Sequence, residues 1–452
     1  MRTKIKYISL ALLGFIAPSV LFAQESAAAA VPVPYIDSGN TAWMMVATAL
    51  VMLMTIPGLA LFYGGLVRQK NILNILMQCF VLTAVITLEW VFFGYSLAFS
   101  SSAGVLSPYI GGFDWVFLNG IGINDVSPYY ISQETARIPH LLFVLFQGMF
   151  AVITPALIIG AYAERIQFRG FLIFSILWAI LVYNPVAHWV WSADGWLYNL
   201  GALDFAGGTV VHINAGIAAF VMTLMVGSRK NYNNHPTAPH NIPLVVIGTA
   251  LLWFGWFGFN AGSGLAADGL AISAFLSTHV AAATAALTWA LLDWTINKRP
   301  TVIGICTGAV AGLVAITPAA GFVGILGAVV IGILVSLVCF FMVSVVKHKY
   351  GYDDSLDAFG VHGIGGIVGA LATGLLATPA IQSSYSGLFY GNPKQLWIQI
   401  IATVTTMVFS GLMTYILFKV VDKFFGIRAT MKDEIAGLDI SQHNEMAYTE
   451  SD

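Results

Sequence analysis

The chain has 452 residues, a formal net charge of −2 and charged side chains at 9% of positions, with 58% apolar and 13% aromatic residues; soluble domains carry about 25% charge. So few charges cannot cover a soluble surface, and so much apolar content excludes disorder, which leaves neither an ordinary soluble enzyme nor an unfolded chain. There is no basic excess to suggest nucleic acid as a partner, and Cys79, Cys306 and Cys339 all sit inside apolar runs, as buried thiols rather than a disulfide framework.

At the N-terminus, Arg2, Lys4 and Lys6 precede an apolar run over 8–20 that ends near Ala23. Residues 1–23 resemble a secretory signal peptide, although Leu21 stands where a small residue is preferred at the cut. An uncleaved first helix is the rival reading. Either places residue 24 outside the cytoplasm. Eleven further apolar segments follow, at about 42–63, 72–99, 139–163, 170–191, 208–227, 243–259, 271–293, 301–317, 322–346, 358–378 and 396–421. Runs of this length predict an all-α polytopic membrane protein, because a β-barrel needs alternating segments of about ten residues. The lipid bilayer is therefore a partner of the whole domain over 24–425, and 426–452 forms a tail.

The basic residues alternate sharply between successive loops. Fourteen of the nineteen fall in every second loop, from Arg68 and Lys70 to Lys347 and Lys349, or at the end of the last helix and in the tail. The intervening loops hold only Arg137 and Lys394. Positive charge is retained inside, so this predicts an outside N-terminus and a cytoplasmic C-terminus in the inner (plasma) membrane.

Two matches recur five segments apart. ITPA occurs at 153–156 and at 316–319, and intramembrane histidines occur as His212 and His362. An odd offset turns the second copy upside down, so the pattern predicts an inverted five-plus-five repeat, a common plan among transporters, with the eleventh helix outside it.

Ionisable groups inside lipid are costly and are functional candidates by default. His212 and His362 are flanked by glycines, which let helices approach closely. As neutral imidazoles they can each donate and accept a hydrogen bond along a narrow path. Two unrelated core histidines, or a haem pair, remain open on these residues alone. Asp204 stands where it can cap the helix bearing His212, and also shape a cation entrance. Asp357 is expected to cap the helix bearing His362. Glu89 lies deep in a span, where a relay role competes with a protonated acid bonded to a neighbour; the second is favoured. His140, His188 and His279 read as structural. Phe146 and Phe150 share a helix face, and Trp253, Trp256, Phe257 and Phe259 crowd the sixth segment, followed by Asn260 and Ser263. Such aromatics are usually packing; beside a hydroxyl they can also attract a cation.

Together these residues resemble the ammonium transporter (Amt/Rh) family. The resemblance runs from about Trp43 to Tyr448 through ALFYGGLVR at 60–68, FQGMFA at 146–151, DFAGGTVVHIN at 204–214, GWFGFNAGS at 255–263 and FGVHG at 359–363. Trp191, Asp204 and Ser263 favour the Amt branch. The resemblance implies a homotrimer with one pore per subunit, and ammonium/ammonia as substrate. It places Phe150, Trp191 and Ser263, with Phe146 nearby, at an outer recruitment site. Phe150 and Phe259 become a stacked gate, His212 and His362 the pore histidines, and Asp204 the acid that transport requires. Trp256, Asn260 and Thr317 lie beside the pore. No cofactor or metal is implied. The tail resembles a region that engages PII-type nitrogen regulators. Glu89 and the outer loop 100–138 are outside these motifs. A sensor built on the same pore is the second reading; it predicts a long C-terminal domain, where residues 426–452 follow Phe425. A membrane enzyme would need a nucleophile or metal-ligand set near the histidines, which the sequence does not supply.

Overall fold

A computed structural model describes residues 33–101, 104–230, 232 and 238–448 of the chain. The expected signal segment lies outside these residues. Ten described helices are long and apolar enough to cross a membrane: α1 (Ser38–Leu66), α2 (Gln69–Phe99), α3 (His140–Tyr162), α4 (Phe168–Leu200), α5 (Gly208–Val226), α6 (Ile242–Gly262), α7 (Gly269–Asn297), α9 (Ile325–Tyr350), α10 (Phe359–Leu376) and α11 (Pro393–Phe425). Between α7 and α9 lies α8 (Val302–Ile316), apolar but of 15 residues. Every expected apolar segment is thus a helix. The differences are at the ends: α7 and α11 run past the expected 271–293 and 396–421, because helical hydrogen bonding continues into the polar zone where hydropathy has already fallen.

Local chemistry starts several helices. Asp37 accepts from the Asn40 amide, Asn241 from Leu244, Asp268 from Leu270 and Ala271, and Thr301 from Gly304. Each satisfies amides that the first turn leaves free. Six spans are not uniform α-helix. The backbone of α1 leaves the helical region at Ile56, φ −130° and ψ 116°, just before Pro57; wide, π-type turns interrupt α2 at Trp90–Gly94, α4 at Ala179–Tyr183 and α9 at Met342–Val346, and others open α5 and α10.

The most enclosed helix is α3, with 94% of its apolar window buried, against 33% for α9 and α11. Helices α5 and α10 cross at Gly216 and Gly363: a Cβ on Gly216 would come within 2.1 Å of the Gly363 nitrogen. Only glycine permits that approach, and it is what lets the two helices bearing His212 and His362 meet. A side chain at Gly208 would likewise strike Pro318 at 2.4 Å, so the second ITPA segment packs onto the start of α5.

One end of the bundle is tied by buried charge. Arg229, after α5, bonds Asp353 at 2.7 Å from its backbone amide and at 2.8 and 2.9 Å from its guanidinium. It also reaches Glu164 at 3.2 Å, which Arg68 approaches at 2.8 Å. Arg165, fully buried, bonds the backbone oxygens of Ala161, Gly227 and Asp353. The loops after α1, α3, α5 and α9 therefore meet at one end. Burial alone would raise the Asp353 carboxyl; the hydrogen bonds and charges of Arg229 and Arg165 outweigh it and hold it below its ordinary value. The ion pair therefore contributes stability above the ordinary carboxylate range and loses it as pH falls through the lowered value. Asp353→Ala is expected to lower stability by about 3 kcal/mol, since it takes from buried Arg229 the carboxylate that accepts three of its hydrogen bonds and leaves Glu164 as its one acidic partner among the described residues. Thermal unfolding in detergent measures this.

The tail packs onto the same end. Arg428 donates to the oxygens of Val226 and Ser228, Lys70 to those of Glu434 and Ile435, and Asp439 accepts from the Leu73 and Asn74 amides at the start of α2. Thr430 caps α12 (Met431–Ala436). At the opposite end, Tyr35–Ile36 pairs in parallel with Ala136–Arg137.

Candidate functional site

Helices α3, α4, α5, α6 and α10 bring the candidate residues into a line. On α3, Phe146 and Phe150 have ring centroids 5.0 Å apart, edge to face. Trp191, from α4, stands edge-on to Phe150 at 5.7 Å. Its indole donates to the Asp204 backbone oxygen at 3.0 Å. Phe259, one helical turn before Ser263 on α6, lies 4.3 Å from Phe150 with the rings 30° apart. Ser263 donates to the Phe259 carbonyl at 2.8 Å. These residues thus form one aromatic group with a hydroxyl at its edge.

Beyond Phe259 lies His212, 6.0 Å away between centroids. The imidazoles of His212 and His362 are 5.4 Å apart and nearly parallel, 16°. Trp256 also stacks on His212, at 5.4 Å and 21°. Its indole is fixed by the Thr317 hydroxyl at 2.8 Å, and Thr317 in turn bonds the Leu313 oxygen. Asn260 donates to Thr278 instead of pointing to the histidines. Both ring nitrogens of His212 and Nδ1 of His362 are buried without a hydrogen-bond partner among the described residues. Buried polar atoms are otherwise almost always satisfied, so unpaired nitrogens facing a common space point to a guest.

That space is tight. The cavity against His212, His362, Trp256 and Phe259 measures only about 10 Å³, and apolar side chains, Leu157, Leu252, Ile153 and Val310 among them, line the rest of it. This is about the room one water-sized molecule needs, too little for a hydrated cation. From His362 a second cavity of about 550 Å³ opens toward Arg229, Lys347 and Asp357, at the end tied by the ionic cluster.

The Asp204 carboxylate does not face this space freely. It accepts four amides at the start of α5: Gly207 and Gly208 on Oδ1 at 2.8 and 2.6 Å, Thr209 and Val210 on Oδ2 at 2.8 and 3.0 Å. Eight residues on, a π-type turn over Gly208–Ile213 carries His212, and a 13-residue α-helix, Asn214–Val226, follows. The second histidine is built in the same way, with one correction. Asp354, not Asp357, caps its helix, accepting from Ala358, Phe359 and Gly360. Asp357 pairs with Lys347 at 2.7 Å, because its backbone sits in a left-handed conformation, φ 59°, inside the turn that Asp354 closes. The π-type turn Phe359–Gly363 carries His362, and Ile364–Leu376, again 13 residues, follows.

The three histidines expected to be structural, His140, His188 and His279, are held away from this line. His140 bonds the Tyr95 hydroxyl, His188 the oxygens of Ala98 and Ser107, and His279 packs against Trp253 and Phe257. Glu89 accepts from Asn184 at 2.8 Å.

A model described as "Ammonium Transporter Family" matches residues 42–448. The chain belongs to the ammonium transporter family. It is 50% identical over 414 residues to an ammonium transporter of Bacillus subtilis, covering 91% of this chain and 99% of that one. It is 45% identical over 413 residues to the ammonium transporter Amt1 of Archaeoglobus fulgidus, covering 91% and 100%. Among solved structures, Mep2 of Saccharomyces cerevisiae superposes with a TM-score of 0.80 at 36% identity, over 88% of this chain and 89% of that one. A structure titled "Sensor Amt Protein" superposes at 0.81 and 29% identity, over 90% and 98%.

Sequence reasoning on this ammonium transporter family member missed Asp354 and the cluster of Glu164, Arg229 and Asp353. Asp354 was detectable: it precedes His362 by eight residues, as Asp204 precedes His212. The cluster carried no such signal, because its charges read as ordinary loop residues until the fold buries them.

Proposed function

We propose that this multi-pass membrane protein transports ammonium by recruiting the cation at the aromatic group and passing ammonia along the stacked histidines. The observation that carries the reading is the cavity of about 10 Å³ beside unpaired imidazole nitrogens. Phe146, Phe150, Trp191 and Ser263 hold the cation through ring faces and an accepting hydroxyl. Phe150 and Phe259 form a gate whose rings must part for passage. A bare cation in the apolar stretch costs several kcal/mol at least. Releasing a proton first makes the cargo neutral, and ammonia can then hydrogen-bond the unpaired nitrogens. Potassium matches ammonium in charge but has no proton to release, so selectivity follows from deprotonation. The proton crosses separately, with His212 and His362 as the groups able to relay it.

In the same reading α1–α5 and α6–α10 form an inverted repeat, with eleven spans, an outside N-terminus and a cytoplasmic tail. The paired Asp–His spacings and the 13-residue helix that follows each π-type turn support it, as does the alternation of basic loops. The protein works as a homotrimer in the inner (plasma) membrane for nitrogen uptake, and the tail is the docking region for a PII-type regulator. A sensor with little flux is the competing reading, supported by the superposition on the sensor Amt protein.

Current measurements on proteoliposomes test this. Ammonium and methylammonium are expected to carry current, and potassium none; equal potassium current overturns deprotonation as the basis of selectivity, and absence of any flux favours the sensor. Trp191→Ala and Ser263→Ala are expected to raise the half-saturating ammonium concentration roughly tenfold, the equivalent of ~1.4 kcal/mol of lost cation binding.

A further inference from the structure

Glu89 takes no part in the path described above, yet it is a carboxyl only 5% exposed in the middle of α2. It lies where two irregular helices meet. The π-type turn of α2, Trp90–Gly94, begins directly after it, and that of α4, Ala179–Tyr183, ends directly before Asn184, its partner. Such turns are uncommon and often mark functional positions. The carboxyl is pressed against Gly94: a Cβ there would lie 2.7 Å from both its oxygens. One hydrogen bond joins the two residues, from Asn184 Nδ2 to Glu89 Oε1 at 2.8 Å. What remains on the pair is Glu89 Oε2 and Asn184 Oδ1, both buried and without a partner among the described residues. Both are acceptors if Glu89 is ionised, and no donor reaches either. The neighbouring Tyr183 hydroxyl makes no bond to them and is itself unpaired.

A single proton resolves this arrangement. On Glu89 it supplies the donor that the pair lacks, and acid and amide can then meet through two hydrogen bonds in place of one. The same proton removes a charge that nothing cationic nearby would balance. What the pair holds is a defined piece of α4. Asn184 begins the segment Asn184–Trp191, which ends on the tryptophan of the recruitment group. Further along this segment His188 bonds Ala98 and Ser107, Trp189 bonds the Tyr109 oxygen, and Trp191 bonds the Asp204 oxygen. The Glu89 pair is its anchor at the end deepest in the membrane.

We infer that Glu89 is a neutral acid that, through a two-point pair with Asn184, acts as a positioning residue for Trp191 at the outer substrate site. The inference rests on the recruitment reading of Trp191. It is tested on the full-length protein in proteoliposomes by two readouts: the infrared stretch of a protonated carboxyl, and the Michaelis constant and maximal rate for methylammonium. Glu89→Gln presents the same donor and acceptor to Asn184 as a protonated acid. The expected result is a protonated-carboxyl band in the wild type at neutral pH that vanishes in E89Q, with E89Q keeping the wild-type KM. Glu89→Leu and Asn184→Leu raise KM about tenfold, toward the value of Trp191→Ala, and change the maximal rate much less; tenfold is what one to two lost hydrogen bonds carry. Absence of the band overturns the neutral acid. A KM in E89Q as poor as in E89L overturns the pairing, and an unchanged KM in E89L beside a raised one in W191A overturns the positioning role. An unchanged KM in W191A overturns the recruitment reading itself, and the positioning role with it. If E89L fails to reach the membrane, the band and E89Q decide the proposal between them.

Discussion

Asp204→Ala is expected to abolish ammonium current in proteoliposomes, with a loss of at least about a hundredfold. The carboxylate accepts four amides at the start of α5, at 2.6–3.0 Å. Hydrogen bonds to a charged acceptor contribute about 1.5–3 kcal/mol each, and buried donors left unpaired cost a similar amount. Alanine therefore releases the turn that carries His212, and Gly207, whose φ of 111° only glycine adopts readily, loses the bond that fixes it. The backbone oxygen of the same residue holds the Trp191 indole, so both the aromatic group and the histidine pair shift. Asp204→Asn keeps the length of the side chain but not its set of acceptors. Asparagine offers one oxygen where two serve four donors, and turns an NH₂ toward the others, so it too is expected to lose most of the current. Wild-type current in either variant would remove Asp204 from the site.

The second large effect is expected at the histidines. His212→Ala with His362→Ala should lose ammonium current by about a hundredfold while the protein keeps its thermal stability to within ~2 kcal/mol. The two rings make no hydrogen bond to one another and stack at 5.4 Å. Their removal leaves walls of Leu, Ile, Val and aromatic carbon, in which ammonia finds no partner. Two hydrogen bonds at about 1.4 kcal/mol each correspond to the hundredfold loss. The stability readout matters because truncating two buried rings also opens space; flux lost together with the fold would say nothing of the path. Unchanged current would show that cargo does not pass these rings.

The helices were legible because a membrane span must be long, apolar and internally hydrogen-bonded, which leaves a trace in every run of ~20 residues. His212 and His362 stood out because an ionisable group in lipid is rare. Asp204 was legible as a cap. Asp357 is not its counterpart: proximity to His362 favours it in the sequence, whereas the eight-residue spacing points to Asp354. Nothing local predicted that Asn260 would turn to Thr278 and leave Trp256 to back His212. Residues on one helix face compete for neighbours supplied by other helices.

By itself, then, the sequence determined that this chain spans a membrane many times, where its basic loops alternate, and which few polar groups lie at depth. All three follow from the cost of placing charge in hydrocarbon, which acts on each residue wherever its neighbours are. The tertiary structure decided what depends on pairs from distant segments: the Gly216–Gly363 crossing that brings two histidines into one stack, the cavity of about 10 Å³ that both of them line, and the burial of Arg229 with Asp353 and Glu164. Close approach and mutual burial are properties of two surfaces at once, and only packing brings those surfaces together.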